Sequence, residues 1–143
     1  QELKRNYAEA RTVLNQSFDN FQENIHSKNK LISKITVADQ FGFRIVNTED
    51  LVYLEADSNY TVFHLVGGKR IMATRNMGEF ERILDDRFFR IHKSVIININ
   101  FLLGYSSYQG NTVEMKDGTN LIISRRKVLE LRDKINNFSN TSS

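Results

Sequence analysis

The three histidines of this 143-residue chain, His26, His64 and His92, are scattered, and the chain has no cysteine. Zinc and iron sites draw on short-spaced His, Cys and carboxylate clusters, so neither a metal centre nor another cofactor is expected. Gly67-Gly68 reads as a join between two strands and lacks the spacing of a loop that leads into a helix and holds a nucleotide's phosphates. The adjacent carboxylates, Asp85-Asp86 and Glu79 with Glu81, fall on or just after a short predicted helix, where solvated surface charge is the ordinary explanation. The parts of an enzyme are missing.

Basic residues, by contrast, gather at the joints between elements. Lys69 and Arg70 follow a turn, Arg90 and Lys93 lie in an irregular stretch, and Arg125, Arg126 and Lys127 open a helix. A helix start with free backbone N–H groups, a capping hydroxyl at Ser124 and three cations can clamp a phosphate, because dipole, donors and charge act together. Without an anion nearby, each such cation costs about 0.3–1 kcal/mol. The alternative is that these three residues are merely exposed and pair with Glu130 or Asp133 along the helix surface. Twenty Lys and Arg against seventeen Asp and Glu give a net charge of +3, which permits a nucleic-acid partner without announcing one.

The elements that would position these residues can be read from periodicity. Leu3, Tyr7, Ala10, Leu14, Phe18, Phe21 and Ile25 recur at steps of three and four, the spacing of one amphipathic helix over residues 2–28. Its stripe is narrow and its other faces are charged, so it reads either as a linker or dimerising helix or as one packed back on its own domain. After Asn29 the period changes to two. Strands are expected over residues 34–38, 43–46, 51–57, 60–66 and 69–74, with turns at residues 39–42 and at Gly67-Gly68. Asn76 and Glu79 form a capping-box-like pair at the start of a short helix carrying Met77, Phe80, Ile83 and Leu84. Residues 88–103 read as buried strands with a sharp irregularity, Phe88 and Phe89 as core, and Asn98 as a partner for backbone groups. Gln109-Gly110-Asn111 and Asp117-Gly118 mark two further turns around strands 112–116 and 119–123. Ser124 reads as the N-cap of a last helix over residues 125–138, with Val128, either Leu129 or Leu131, and Ile135 inward. The polar tail, residues 139–143, is expected to be disordered.

Hydrophobic residues make up 40% of the chain, enough for one packed core. The apolar runs are short, and nothing approaches the roughly 20 residues of a membrane helix. The absence of cysteine fits a reducing compartment, with the cytoplasm as the default. Gln1 opens the chain inside a helical pattern, which suggests a piece of a longer protein. Three units are expected: a linker helix at 1–30, a mainly β domain at 31–138 and a short tail.

Three ordered blocks carry a resemblance. Residues 54–60 read Leu-Glu-Ala-Asp-Ser-Asn-Tyr, and residues 88–98 read Phe-Phe-Arg-Ile-His-Lys-Ser-Val-Ile-Ile-Asn. Asp117-Gly118 and Ser124-Arg125-Arg126 follow at suitable spacing. Over residues 32–138 the chain resembles the LytTR DNA-binding domain. The resemblance implies an elongated domain of antiparallel β-sheets with one short inserted helix and a C-terminal helix, binding duplex DNA through loops. Carried over by position, Asn59, Lys93 and Arg126 would approach bases, while His92, Ser94, Ser124, Arg125 and Lys127, with Lys69 and Arg70, would contact phosphates. Asn59 also suits a tight turn, and His92 a structural hydrogen bond.

The resemblance further implies the output half of a two-component response regulator, acting as a homodimer on double-stranded DNA. An upstream receiver domain and a cognate histidine kinase would then lie outside this chain. The rival expectation is a protein-interaction module that self-associates through the first helix and presents an exposed apolar patch.

Overall fold

The structure, a computed structural model, describes residues 31–141, with side chains as far as residue 137. The amphipathic helix expected over residues 2–28 lies outside the described residues. Ten strands and two α-helices follow in chain order: β1 (Lys34–Ala38), β2 (Phe43–Asn47), β3 (Leu51–Asp57), β4 (Tyr60–Leu65), β5 (Arg70–Ala73), α1 (Met77–Ile83), β6 (Phe88–His92), β7 (Val95–Asn98), β8 (Leu102–Ser106), β9 (Thr112–Met115), β10 (Asn120–Ile122) and α2 (Val128–Thr141). The expected strands are present, most with ends displaced by a residue or two, but the run expected as buried strands over residues 88–103 divides into β6, β7 and a mostly exposed β8 that continues to Ser106. A residue or two is the scale on which side-chain pattern alone leaves a strand end undefined.

The strands form three antiparallel sheets: a β1–β2 hairpin, a five-stranded sheet ordered β5-β4-β3-β7-β6, and a three-stranded sheet ordered β10-β9-β8. Turn chemistry closes the hairpins. Gly67 and Gly68 both take φ +77°, Gly118 takes φ +92°, and among the described residues Ser58 and Gln109 are the non-glycine ones that adopt the left-handed region.

The central sheet carries a buried cluster on each face. One cluster joins Leu54, Phe63 and Ile96 to Ile35, Val37 and Val46 of the β1–β2 hairpin and to Met77 and Phe80 of α1. The other joins Val52, Tyr53 and Ile97 to Val113, Met115 and Leu121 of the three-stranded sheet and to Leu131 of α2. Both faces of the central strands are therefore apolar, which explains the nearly continuous hydrophobic run in β7. β3 contributes to both clusters, and its register shifts between Leu51 and Tyr53. The strand turns Val52 and Tyr53 to one face and Leu51 and Leu54 to the other.

α1 begins as its sequence predicts, with the Asn76 side chain accepting from the Glu79 backbone N–H at 3.2 Å. Phe80 then meets Phe63 edge to face, with ring centroids 4.8 Å apart. Asp85, just beyond the helix, departs from expectation. It is no surface carboxylate: its side chain is 3% exposed and pairs with Arg87 at 2.7 Å. Arg87 also donates to the Ile32 carbonyl and to the Thr48 hydroxyl, both at 2.8 Å, and the Ile32 N–H donates to Asp85 at 2.9 Å. Burial is tolerated because each charged group finds several hydrogen-bond partners. Asn98 does satisfy backbone groups, donating to the Leu51 carbonyl at 2.9 Å and accepting from the Asn100 N–H at 3.0 Å.

The last helix differs from the sequence expectation in three respects. Residues Arg125–Lys127 form a single 3-10 turn ahead of α2, and Ser124, although at the capping position, makes no side-chain cap hydrogen bond. The turn is closed by backbone instead, from the Lys127 N–H to the Ser124 carbonyl at 2.8 Å. Leu131, at 3% exposure, is the inward leucine, whereas Leu129 is exposed. The helix also runs to Thr141, into the tail expected to be disordered. No helix among the described residues is long and apolar enough to cross a membrane.

Candidate nucleic-acid interface

Two hairpin turns and one helix start meet at one end of the central sheet. β3 and β4 are joined by Ser58-Asn59, with Asp57 opposite Tyr60. β6 and β7 are joined by Lys93-Ser94, with His92 opposite Val95. Because β3 pairs with β7 and Glu55 lies opposite Val95, both turns leave the sheet in the same direction. The Ala56 N–H donates to the Ser94 carbonyl at 2.8 Å and ties the two together. On the outer side of β6, the Ser124 N–H donates to the Ile91 carbonyl at 2.8 Å, so the start of the last helix is moored beside His92.

The order across this end is thus Asn59, then Lys93, then Ser124 to Lys127. Neighbouring strands are about 4.8 Å apart, so the row spans roughly 20 Å from the first turn to the helix start. The first turn also reaches farther out. Its closing pair, Asp57 with Tyr60, lies two residues beyond the Glu55–Val95 pair, a projection of about 7 Å at a strand's rise per residue.

The side chains divide by what holds them. Asn59, Lys93, Arg125 and Arg126 are exposed, and none of them makes a salt bridge among the described residues. At the first turn the left-handed residue is Ser58, with φ +57°, so Asn59 is not there to supply that conformation. Lys127 partly meets the surface-pair alternative: its ammonium lies 3.3 Å from Glu130, and Lys127 and Lys134 stand 5.6 and 5.2 Å from the Phe89 ring centroid.

The second turn is braced from within. His92 Nδ1 accepts the Ser94 N–H at 3.2 Å and lies 2.9 Å from the Ser94 hydroxyl. A backbone N–H can only donate, so neutral His92 carries its ring proton on Nε2. That leaves Nε2–H as the donor on the other side of the ring. Arg90 completes the brace: Nε donates to the His92 carbonyl at 3.3 Å, the guanidinium donates to the Lys93 carbonyl, and Nη1 meets Glu81 at 2.8 Å. Sequence reading placed Arg90 in the irregular stretch but gave it no role. Its anchor, Glu81, sits on a different element, and no local pattern links the two.

Lys69 and Arg70 are not brought to this end. β4 runs from Tyr60, beside the first turn, to Leu65, and Arg70 pairs with His64 near the far end of that strand. Five residues of strand separate them from the Asn59 turn, about 17 Å at the usual rise. Both followed a turn in the sequence, but hairpin turns alternate between the two ends of a meander.

The far part of the sheet has a polar cluster of its own. His64 stacks on Tyr53 with ring centroids 4.0 Å apart, and its Nε2 lies 3.2 Å from Glu55. Burial holds the His64 pKa below the ordinary histidine value, and the Glu55 partner only partly offsets this. Among the described residues no group of His, Asp and Glu is arranged to hold a metal ion.

Comparison with known proteins bears on the fold and the family. The search of curated sequences returned no match. Among solved structures, a LytTr DNA-binding domain of a response regulator from Bacillus cereus superposes with a TM-score of 0.62 at 23% sequence identity. The match covers 73% of this chain and 97% of that one, a likeness of fold. Residues 42–136, well over half of the chain, match the LytTr DNA-binding domain, a family of DNA-binding modules rather than of enzymes. Both turns and the cationic helix start fall inside that span, and the chain belongs to the LytTr DNA-binding domain family.

Proposed function

We propose that this domain reads specific sequences of duplex DNA through its loops, as the output domain of a bacterial two-component response regulator working as a homodimer in the cytoplasm. The observation that carries the reading is the row of Asn59, Lys93 and Arg126 along one end of the central sheet, tied together by the Ala56–Ser94 and Ser124–Ile91 hydrogen bonds. A row of roughly 20 Å exceeds the major-groove width of about 12 Å, so its two ends reach past one groove to the flanking backbone or the next groove. The described part of the domain offers only a short α1 and a C-terminal α2, so loops rather than a helix-turn-helix pair are the readers.

In this reading Asn59 pairs with adenine, Arg126 with the O6 and N7 edge of guanine, and Lys93 with a base or a phosphate. His92, through Nε2–H, joins Ser94, Ser124, Arg125 and Lys127 in fixing register on the phosphates. The two free backbone N–H groups of the 3-10 turn, at Arg125 and Arg126, add donors where the charge is positive. A phosphate there relieves the cations gathered at a helix start. Lys69 and Arg70 take no part, because they lie toward the other end of β4. An upstream receiver domain, addressed by a histidine kinase, supplies the signal.

Selection of bound fragments from random duplex DNA, followed by gel shifts across a salt series, tests the proposal. Enriched fragments should carry paired half-sites about one helical turn apart, or a multiple of it, and binding should weaken steeply with salt. Absence of both enrichment and salt-sensitive binding would overturn it.

A further inference from the structure

The three-stranded sheet ends on β8, which has no strand on its outer side among the described residues. Such an edge presents a row of unpaired backbone N–H and C=O groups, and proteins ordinarily blunt it with charge or proline. The sequence of β8, Leu-Leu-Gly-Tyr-Ser, has neither, and Leu103 to Ser106 are all exposed. Its one irregularity is a register shift between Leu102 and Gly104. Beyond that shift Gly104, Tyr105 and Ser106 lie in regular register opposite Glu114, Val113 and Thr112.

A cleft of about 270 Å³ runs between this edge and α2. Val128, Leu131 and Ile135 recur at steps of three and four along one stripe of the helix, and Leu102, Leu103 and Tyr105 line the strand side. The volume selects the kind of occupant. Sites for whole small-molecule ligands run from about 300 to 1,000 Å³. An apolar cavity of about 150 Å³ takes a benzene ring, so this cleft suits one large apolar side chain or two small ones. The one charged residue lining it among the described residues is Arg132, exposed and without a salt bridge there. Its guanidinium is matched by a carboxylate. The β8 strand of a second copy is uncharged and brings none.

We infer that β8 and α2 form a docking groove for an extended, acidic segment of a partner protein. The segment adds to the sheet as a further strand along β8, sets an apolar side chain in the cleft and lays a carboxylate on Arg132. Main-chain hydrogen bonds along the edge supply affinity, while the cleft and Arg132 select the partner. Arg132 lies six residues beyond Arg126, about 10 Å farther along the helix, so the groove leads away from the row of Asn59, Lys93 and Arg126. This inference does not depend on how DNA is read.

Selection of phage-displayed random dodecapeptides on the immobilised full chain tests it, with the Arg132→Glu chain as a parallel target. Peptides enriched on the parent chain should pair an acidic residue with a nearby large apolar one. As fluorescent synthetic peptides they should bind the Arg132→Glu chain roughly tenfold more weakly, read by anisotropy, the scale of one charge-assisted hydrogen bond. Exchanging the peptide's acidic residue for Lys should recover most of that loss on the variant. Leu103→Arg, which puts charge on the edge, should weaken every selected peptide. Backbone amides of Gly104 to Ser106 should gain protection from hydrogen exchange when a peptide is bound, a readout that needs no variant. Absence of enrichment, peptides that bind both chains equally, or protection at another surface would overturn the proposal. So would self-association of the full chain that Leu103→Arg abolishes, which assigns the edge to a second copy.

Discussion

The backbone N–H of Ala56 lies 2.8 Å from the carbonyl oxygen of Ser94, and this one hydrogen bond joins the ends of two hairpins that are more than thirty residues apart in the chain. It sets the Asn59 turn beside the Lys93 turn. Ser124, bonded to Ile91, adds the third component. Positions that any one segment would leave unrelated become a single row.

Arg126 stands exposed and without an ion-pair partner among the described residues, so its removal should leave the fold intact. If it reads a guanine, Arg126→Ala lowers specific affinity by about 1–3 kcal/mol and relaxes preference at one base pair. Competition gel shifts with single-position operator variants measure this. Unchanged discrimination at every position would remove Arg126 from the base-reading set.

Arg90 touches no DNA in the proposed reading and acts by fixing the carbonyls of His92 and Lys93. Arg90→Ala should lower specific binding several-fold while nonspecific binding changes less, because turn geometry matters more to base contacts than to phosphate attraction. Glu81→Gln should show a weaker form of the same effect, since it removes only the distal anchor. Equal losses of specific and nonspecific affinity would contradict the positioning role.

Salt dependence separates the two groups of cations. Arg125→Ala should reduce the slope of log affinity against log salt by about 1, the expectation for one lost phosphate contact. Lys69→Ala and Arg70→Ala should leave that slope unchanged, because the meander places both toward the opposite end of the sheet. A shallower slope for Lys69→Ala would mean that DNA follows a different path across the domain.

The Asp85–Arg87 pair makes a prediction about stability. Asp85→Asn leaves the Arg87 guanidinium buried without its counter-charge, a loss of about 3–5 kcal/mol, read by denaturant unfolding. Burial alone would raise the Asp85 pKa. The Arg87 hydrogen bonds, the Ile32 and Arg87 amides and the guanidinium charge together hold it below its ordinary value of 3.8. A depressed carboxylate pKa stabilises the fold at pH above 3.8, and that contribution is lost as the pH falls through the lowered folded value. Asp85→Asn should therefore flatten the acid limb of the stability profile below about pH 4, the ordinary carboxylate range. An unaltered limb would show that other carboxylates dominate it.

By itself, the sequence determined what depends on neighbours along the chain. Alternation of side chains located the strands, glycine and asparagine marked the turns, and Asn76 with Glu79 began the short helix as expected. The three signature blocks also placed the chain in its family, now matched over residues 42–136. What depends on strand order was decided only in three dimensions. Nothing in residues 88–98 says that β7 pairs with β3 rather than with β5, yet that pairing is what brings the Asn59 and Lys93 turns to the same end of the sheet. Local charge pattern likewise read Asp85 as solvated. Its burial follows from Ile32 and Thr48, contributed by distant segments that meet only when the hairpin and the central sheet close on the same core.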